Sequence, residues 1–379
     1  MLRSAYTCRA SLILVLLLAG SLLSPLTSRA GSGLEGVHSF SHVVVLVLEN
    51  ENFSDTWDPA KAPYLNSLKG NAVFADRYYA TGHASLDNYI AMMSGQPDQP
   101  ITGTDCDGGG LARAVTERIP GGSFLDPVAE AAAQITNNFW SCVQGQSLMA
   151  NGRNFADQLE ENGISWKGYM DGMPEPCFHA PYDPTDLRPD PYQGNSRQPP
   201  AYDYADRHNP FIYFDDIVGD HARCQAHVRP YTELAGDLAY DTLPPFAFIT
   251  PDTCHDGHDN PCSNGLPGGL TSADLWLHQE VPALLTYLNA HDGALIITLD
   301  ENGFTDTSNP PGCCSGGLGG VLPGFGGRIG LLALGAGITQ SVVSTPYDHM
   351  SLLRTLEDSF GISEHLNNAA MASAMSDVL

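Results

Sequence analysis

Two short segments hold the residues best suited to chemistry. The first, His42-Val43-Val44-Val45-Leu46-Val47-Leu48, is a continuous apolar run that ends in Glu49 and Asn50, a carboxylate beside a carboxamide. The second, Gly82-His83-Ala84-Ser85-Leu86-Asp87-Asn88-Tyr89, sets a hydroxyl in a polar loop just ahead of a helical pattern. A serine hydroxyl is a poor nucleophile at its free pKa, and a bound cation that stabilises the alkoxide is one way to activate it. Asp300-Glu301, at the end of a further apolar run, and Asp252 with its neighbours, after another, supply more oxygen ligands. Such a set suits Mg, Mn or Ca, with Zn possible. Taken singly each cluster is weak, because an acid after a strand is often a turn former or helix cap, and Ser85 alone could be the cap of its own helix.

The elements that must position these groups are legible around them. Val43–Leu48, Phe246–Thr250, Ala294–Leu299 and Ile329–Leu334 read as strands buried on both faces. Between them lie helical patterns at Leu86–Met93, Asn154–Asn162, Leu270–Asn289 and Met350–Phe360. The third carries Leu275, Leu277, Val281, Leu284 and Leu285 as its apolar residues, and Asp348 is placed to cap the last. Strands alternating with helices predict an α/β fold with a central, mostly parallel sheet and helices on both faces. In such sheets ligands bind beyond the carboxyl ends of the strands, so the three polar clusters should converge on one edge. Residues 171–243 are rich in Pro, Asp, Tyr and His, with little periodicity, and read as a loop-rich insertion in a single domain spanning 31–379.

Residues 1–30 read as a secretory signal peptide: Arg3 and Arg9, the apolar run Leu12–Leu18, then Ser28-Arg29-Ala30 for cleavage. Its loss would shift the net charge from -26 to -29, since three arginines and no acid leave with it. So acidic a chain is a poor match for nucleic acid or an anionic membrane as an electrostatically steered partner. No later segment approaches the length of a membrane span, so no transmembrane segment is expected after signal removal. Nine cysteines become eight without Cys8: Cys106, Cys142, Cys177, Cys224, Cys254, Cys262, Cys313 and Cys314. In an exported chain these suggest disulfides, although spacing does not choose among the ~100 pairings. We expect Cys177 with Cys224 and Cys254 with Cys262. Gly303–Gly327 lacks the Gly-Lys-Ser/Thr ending of a phosphate-binding loop and reads as a plain loop.

With these residues in view, the chain resembles the phosphoesterase family of the alkaline phosphatase superfamily, which includes secreted acid phosphatases and bacterial phospholipases C. The segments that carry the resemblance are Val47-Leu48-Glu49-Asn50, His83-Ala84-Ser85-Leu86-Asp87-Asn88-Tyr89, Trp166-Lys167-Gly168-Tyr169, Arg207-His208-Asn209-Pro210, Pro251 through Asp259, Leu299-Asp300-Glu301 and Asp348-His349. They occur in the family's order from about residue 40 to 362. The resemblance implies Glu49 and Asn50 as the first metal-binding pair, Ser85 as nucleophile and metal contact, and Asp300 with Glu301 as the acidic pair closing the metal site. It implies phosphate-contacting, proton-transferring or second-metal roles for His208, Asp256, His258 and His349. This chain has Asp87 and Ala84 where relatives often have Pro, and Glu301 where some have Asp, which leaves the preferred metal open.

The implied function is a secreted, divalent-metal-dependent phosphoester hydrolase working through a phosphoserine, of the acid phosphatase type. Its partner would be a small phosphate ester or a phospholipid headgroup. A phospholipase C or other phosphodiesterase is the alternative, and would need a partly apolar groove to which Tyr192, Tyr202, Tyr204, Phe211 and Tyr213 could contribute. A non-catalytic extracellular binding protein, using metal only for stability, is the alternative from another class. An esterase-type serine hydrolase is excluded by the lack of a Gly-x-Ser-x-Gly elbow.

Overall fold

A computed structural model describes residues 33–99, 102–105, 152–179, 203–303 and 326–379. The expected signal segment lies outside them, as do Cys106, Cys142, Cys313, Cys314, Tyr192, Tyr202 and most of Gly303–Gly327.

The apolar runs become the middle of one sheet. Strands β1 (His42–Leu48), β6 (Phe246–Thr250) and β7 (Gly293–Leu299) are almost wholly buried, as continuous Val, Ile, Leu and Phe sequences require when both faces are covered. With β2 (Val73–Ala75), β4 (Trp166–Met170), β5 (Val228–Pro230), β8 (Leu331–Gly335) and β9 (Ser341–Val343) they give the order β5-β4-β6-β1-β7-β8-β2-β9. Strand β1 pairs in parallel with β6 on one side and β7 on the other, Leu46 opposite Ile249 and Leu48 opposite Leu299. Among the described strands of this sheet, only the pairings of β8, with β7 and β2, are antiparallel. A two-stranded pair, β3 (Tyr78–Tyr79) with β10 (Tyr347–Asp348), stands beside this sheet.

The mostly parallel α/β architecture expected from the sequence is therefore the one observed, with corrections in detail. The expected strand Ile329–Leu334 begins at Leu331. Gly330, at φ 77°, turns the chain there, and a Cβ on it would lie 2.5 Å from the Trp57 indole nitrogen, which itself donates to the Ile329 carbonyl at 2.7 Å. Trp166–Tyr169, noted only as a motif, lies in β4, the strand beside β6.

Four longer helices flank the sheet: α1 (Ser85–Ser94), α2 (Phe155–Glu161), α3 (Gly269–Ala290) and α4 (His349–Ser359). Helix α2 opens on a capping box in which Asn154 and Asp157 satisfy each other's backbone N–H groups. The Asp348 carboxylate caps α4 at the Ser351 N–H, as its position suggested. In α3 the buried stripe is Ala273, Leu277, Val281, Leu284 and Leu288, at helical spacing. Leu275 does not belong to it. Two residues from Leu277, it points away from the core and is 56% exposed.

The stretch read as loop-rich, 171–243, supplies in its described parts the edge strand β5 and short helices at Asp215–Val218, His221–His227 and Leu234–Ala239. Elements this short leave no periodicity to read. Tyr204, Phe211 and Tyr213 are buried in the core and do not line an open groove. The disulfides Cys177–Cys224 and Cys254–Cys262 are both present, as expected. No helix among the described residues is long and apolar enough to cross a membrane.

Candidate active site

The site forms where the three central strands end. Glu49 follows β1 and is fully buried. Asn50 takes a left-handed backbone, φ 46°, which Asn tolerates better than most residues. That turn lets its Nδ2 donate to Glu49 Oε2 at 2.9 Å, leaving the carboxamide oxygen Oδ1 buried without a hydrogen-bond partner. Asp300 and Glu301 follow β7, and the Asn50 N–H points at Asp300 Oδ1 from 3.4 Å. Asp256 arrives from the loop after β6, and the Glu49 N–H donates to its carbonyl at 2.9 Å.

Ser85 enters this edge as the first residue of α1. It is not the cap of that helix; Ala84 holds the cap position, and the Asp105 carboxylate accepts the Leu86 N–H at 2.8 Å. Ser85 Oγ instead faces Glu49 Oε2 at 3.4 Å. Asn88, one turn on, ties the loop back: its Oδ1 accepts from the Thr81 and Gly82 N–H groups, and its Nδ2 reaches Glu301 Oε2 at 3.5 Å. His83, read as a structural neighbour, has Nδ1 3.1 Å from that same Glu301 oxygen.

His208 is buried between two carboxylates. Its Nε2 lies 2.8 Å from Glu49 Oε1 and its Nδ1 3.2 Å from Asp256 Oδ2, yet neither contact has hydrogen-bond alignment. The Tyr89 ring stacks on it at 5.5 Å. Burial pulls the His208 pKa down to about 4, with Glu49 acting in the opposite sense. Burial also opposes ionisation of Glu49, but His208 outweighs it and holds that carboxyl at about 2. The direction that stands for this pair is an anionic Glu49 beside a neutral imidazole at neutral pH.

His349 and His258 stand apart from this centre in how their nitrogens are used. His349 Nε2 donates to the Asp300 backbone carbonyl at 2.7 Å, and its Nδ1 accepts from the Tyr78 hydroxyl at 2.9 Å. His258 Nδ1 is 2.9 Å from Asp259 Oδ1, and its Nε2 is 3.1 Å from Arg207 Nη2. Arg207, Asp259, Tyr78 and Tyr89 are thus residues near the site that sequence reasoning gave no role. For Arg207 the signal was its place in the polar turn Arg207-His208-Asn209.

The donor set fits a divalent cation. Glu49 Oε1, Asn50 Oδ1, Asp256 Oδ2 and Asp300 Oδ2 are all buried without a hydrogen-bond partner. Burial, and then repulsion from Glu49, push Asp256, Asp300 and Glu301 well above the usual carboxylate range. Buried oxygens that repel one another and lack donors are what a hard cation satisfies. A second grouping, Asp252, Cys254 and His255, does not fit one, because Cys254 is bonded to Cys262. There His255 instead pairs with Asp171 and Asp252, each at 2.9 Å. Burial works against its charge, but the two carboxylates raise it to about 10.

The family model for the Phosphoesterase family matches residues 54–363. The chain belongs to that family. Membership makes this phosphoesterase, by class, a phosphoric ester hydrolase. An acid phosphatase of Aspergillus fumigatus is 25% identical over 295 residues, spanning 77% of this phosphoesterase but only 51% of the fungal protein. A phosphatidylinositol-3-phosphatase of Mycobacterium tuberculosis is 20% identical over 355 residues, spanning 93% and 88% of the two chains. A solved structure of a protein in the alkaline phosphatase superfamily from Vibrio parahaemolyticus overlays with a TM-score of 0.48 and 13% identity, over 86% of this chain and 70% of that one.

Proposed function

We propose that this phosphoesterase is an exported phosphomonoesterase in which Ser85 is the nucleophile. The observation that carries the reading is the position of the Ser85 hydroxyl, at the start of α1 and 3.4 Å from Glu49, on the edge where β1, β6 and β7 deliver their carboxylates. Glu49, Asn50, Asp300 and Glu301 would hold a divalent cation, with Asp256 beside them. Bound there, such an ion supplies positive charge that favours the serine alkoxide and offsets the charge of the phosphoryl group.

In the reaction, Ser85 Oγ forms a bond to phosphorus as the bond from phosphorus to the ester oxygen breaks, and the alcohol departs. Glu49 Oε2 accepts the hydrogen bond that orients the hydroxyl, whose proton passes to water while water supplies the proton that makes the departing alkoxide an alcohol. Water then cleaves the phosphoserine, releasing inorganic phosphate and restoring the hydroxyl. Tyr89 and Asn88 fix the approach: the first stacks on His208, and the second clamps the loop that presents Ser85.

Preference for monoesters is supported by the two relatives, named an acid phosphatase and a phosphatidylinositol-3-phosphatase. Tyr204, Phe211 and Tyr213, the described residues expected to line a groove for a second ester arm, are buried instead. Export is supported by the two disulfides and by the signal-like start of the sequence.

The test is acid-quenched turnover of an aryl phosphate monoester and the matching diester, with metal removed and restored. A phosphate adduct on the peptide carrying Ser85, formed only with metal and faster from the monoester, is the expected result. An active enzyme that never accumulates the adduct, even when water attack is slowed at low pH, would overturn the nucleophile. Faster turnover of the diester would replace the phosphatase with a phosphodiesterase.

A further inference from the structure

We propose that Arg207 is the phosphate-recognising guanidinium of this site, and that His258 is a positioning residue acting through it rather than the acid that protonates the leaving alcohol. This rests on the phosphomonoester reading above.

Donor and acceptor capacity decides what His258 and Arg207 do to each other. The Thr253 hydroxyl donates to Asp259 Oδ2 at 2.9 Å, and Asp259 Oδ1 lies 2.9 Å from His258 Nδ1. On the other side of the ring, Nε2 lies 3.1 Å from Arg207 Nη2. A carboxylate only accepts and a guanidinium only donates. The two ends therefore fix the tautomer: Nδ1 carries the proton and donates to Asp259, and Nε2 accepts from Arg207. In that tautomer the ring nitrogen facing Arg207 presents a lone pair to the guanidinium. The run Thr253, Asp259, His258, Arg207 is a relay that ends by aiming a guanidinium.

Where it aims follows from what surrounds it. Arg207 is 2% exposed and adjoins His208, whose backbone is pinned by the Thr250 hydroxyl at 3.1 Å. The His208 ring lies against Glu49 Oε1 and Asp256 Oδ2, and the His258 ring that meets Arg207 Nη2 stands 6.1 Å from it. The guanidinium is thereby held at the edge where β1 and the loop after β6 deliver Glu49 and Asp256. A planar fork of N–H donors matches two oxygens of a phosphoryl group. A monoester offers it three terminal oxygens and up to two charges, whereas a diester offers two oxygens and one charge. Arg207 therefore favours the monoester. Because the His258 backbone N–H separately holds Asp256 Oδ1 at 2.8 Å, substituting the His258 side chain leaves that contact in place.

The experiment compares wild type with Arg207→Met, Arg207→Lys, His258→Ala, His258→Gln and the Arg207→Met/His258→Ala double variant. Each is assayed on monoesters whose leaving groups range from nitrophenol to a simple alcohol, on a matched diester, and for inhibition by inorganic phosphate. Melting temperature is followed throughout. Arg207→Met and His258→Ala should each lower kcat/KM by roughly 10–100-fold, equally across leaving groups, and weaken phosphate inhibition by a similar factor. The double variant should match Arg207→Met alone, diester turnover should fall by less than about 3-fold, and His258→Gln, which keeps an acceptor, should recover part of the loss.

A His258→Ala defect that grows with the basicity of the leaving group would identify His258 as the acid and overturn the proposal. So would unaltered phosphate inhibition in Arg207→Met. If Arg207→Met folds poorly, Arg207→Lys keeps the buried charge without the fork, and unchanged phosphate inhibition in that variant would overturn it equally. Failure of the underlying phosphomonoesterase reading would be visible separately, as wild type that turns over no monoester.

Discussion

Replacing His349 separates two roles that a buried histidine beside an acidic site can have. Its Nε2 donates to the Asp300 carbonyl at 2.7 Å, and its Nδ1 accepts from Tyr78 at 2.9 Å. Burial lowers its pKa to about 4, so the ring is neutral at working pH. With both nitrogens taken, His349 holds the backbone that presents Asp300 and has no atom left for substrate. His349→Phe keeps an aromatic ring and leaves the Asp300 carbonyl and the Tyr78 hydroxyl without these partners. At about 1–3 kcal/mol for each buried group so stranded, the fold should lose about 2–6 kcal/mol. Loosening a supporting contact of a metal ligand should weaken metal binding by roughly 10–100-fold, while kcat at saturating metal stays within about 5-fold of wild type. Tyr78→Phe, which strands only one nitrogen, should show the same pattern at about half the stability cost. The assay is turnover titrated with Mg or Mn after chelation, alongside thermal unfolding of the same samples. A fall in kcat of about 100-fold or more at saturating metal, with metal affinity and melting unchanged, would refute this reasoning and make His349 a residue that touches substrate.

Three further outcomes are expected. Ser85→Ala should reduce turnover by at least about a thousand-fold while changing stability by no more than about 1 kcal/mol, because α1 takes its first backbone acceptor from Asp105; turnover and chemical denaturation report the two effects. Serine at both Cys254 and Cys262, a pair eight residues apart, should cost about 2–3 kcal/mol. It should also depress activity more than the same change at Cys177 and Cys224, since the shorter loop carries Asp256 and His258; comparing the melts and rates of the two double variants checks this. Burial raises Glu357 in α4 from an ordinary 4.5 to about 8, so the folded chain keeps a proton that the unfolded chain loses above about pH 4.5. Its contribution is fullest below that value and is lost as pH rises to about 8, so Glu357→Gln should flatten the decline and add on the order of 2–4 kcal/mol at pH 8, read by denaturation across pH.

Much of the centre was legible because its physics is local. A run such as Val43 to Leu48 can be only a buried strand or a short buried helix segment, and a carboxylate and carboxamide at its end mark where it leaves the core. Asp300-Glu301 and Ser85 followed by the same logic, and Asp348 as a cap from position alone. What could not be read depends on atoms distant in sequence. Leu275 looked apolar and therefore internal, but its place on the helix turns it outward. His258 and His349 both stood in suggestive motifs, yet their use was set by Arg207, Asp259, Tyr78 and the Asp300 carbonyl, none of which spacing could bring to them. Arg207 itself sat beside His208 in plain view; its contact with His258, 51 residues on, appears only once the loop after β6 folds back over the site.

That arrangement of strands has a consequence for how such a site can change. Glu49 and Asp300 issue directly from adjacent strands β1 and β7, so their separation is measured out by sheet hydrogen bonding, at about 4.8 Å per strand. The sheet acts as a ruler for the charged centre. The segments that reach over it, among them the turn bearing Arg207 and the loop closed by Cys254 and Cys262, are anchored at their ends and owe nothing to that ruler. Substrate choice can therefore drift through those segments, residue by residue, while the spacing of the acidic groups is inherited unaltered from the backbone beneath.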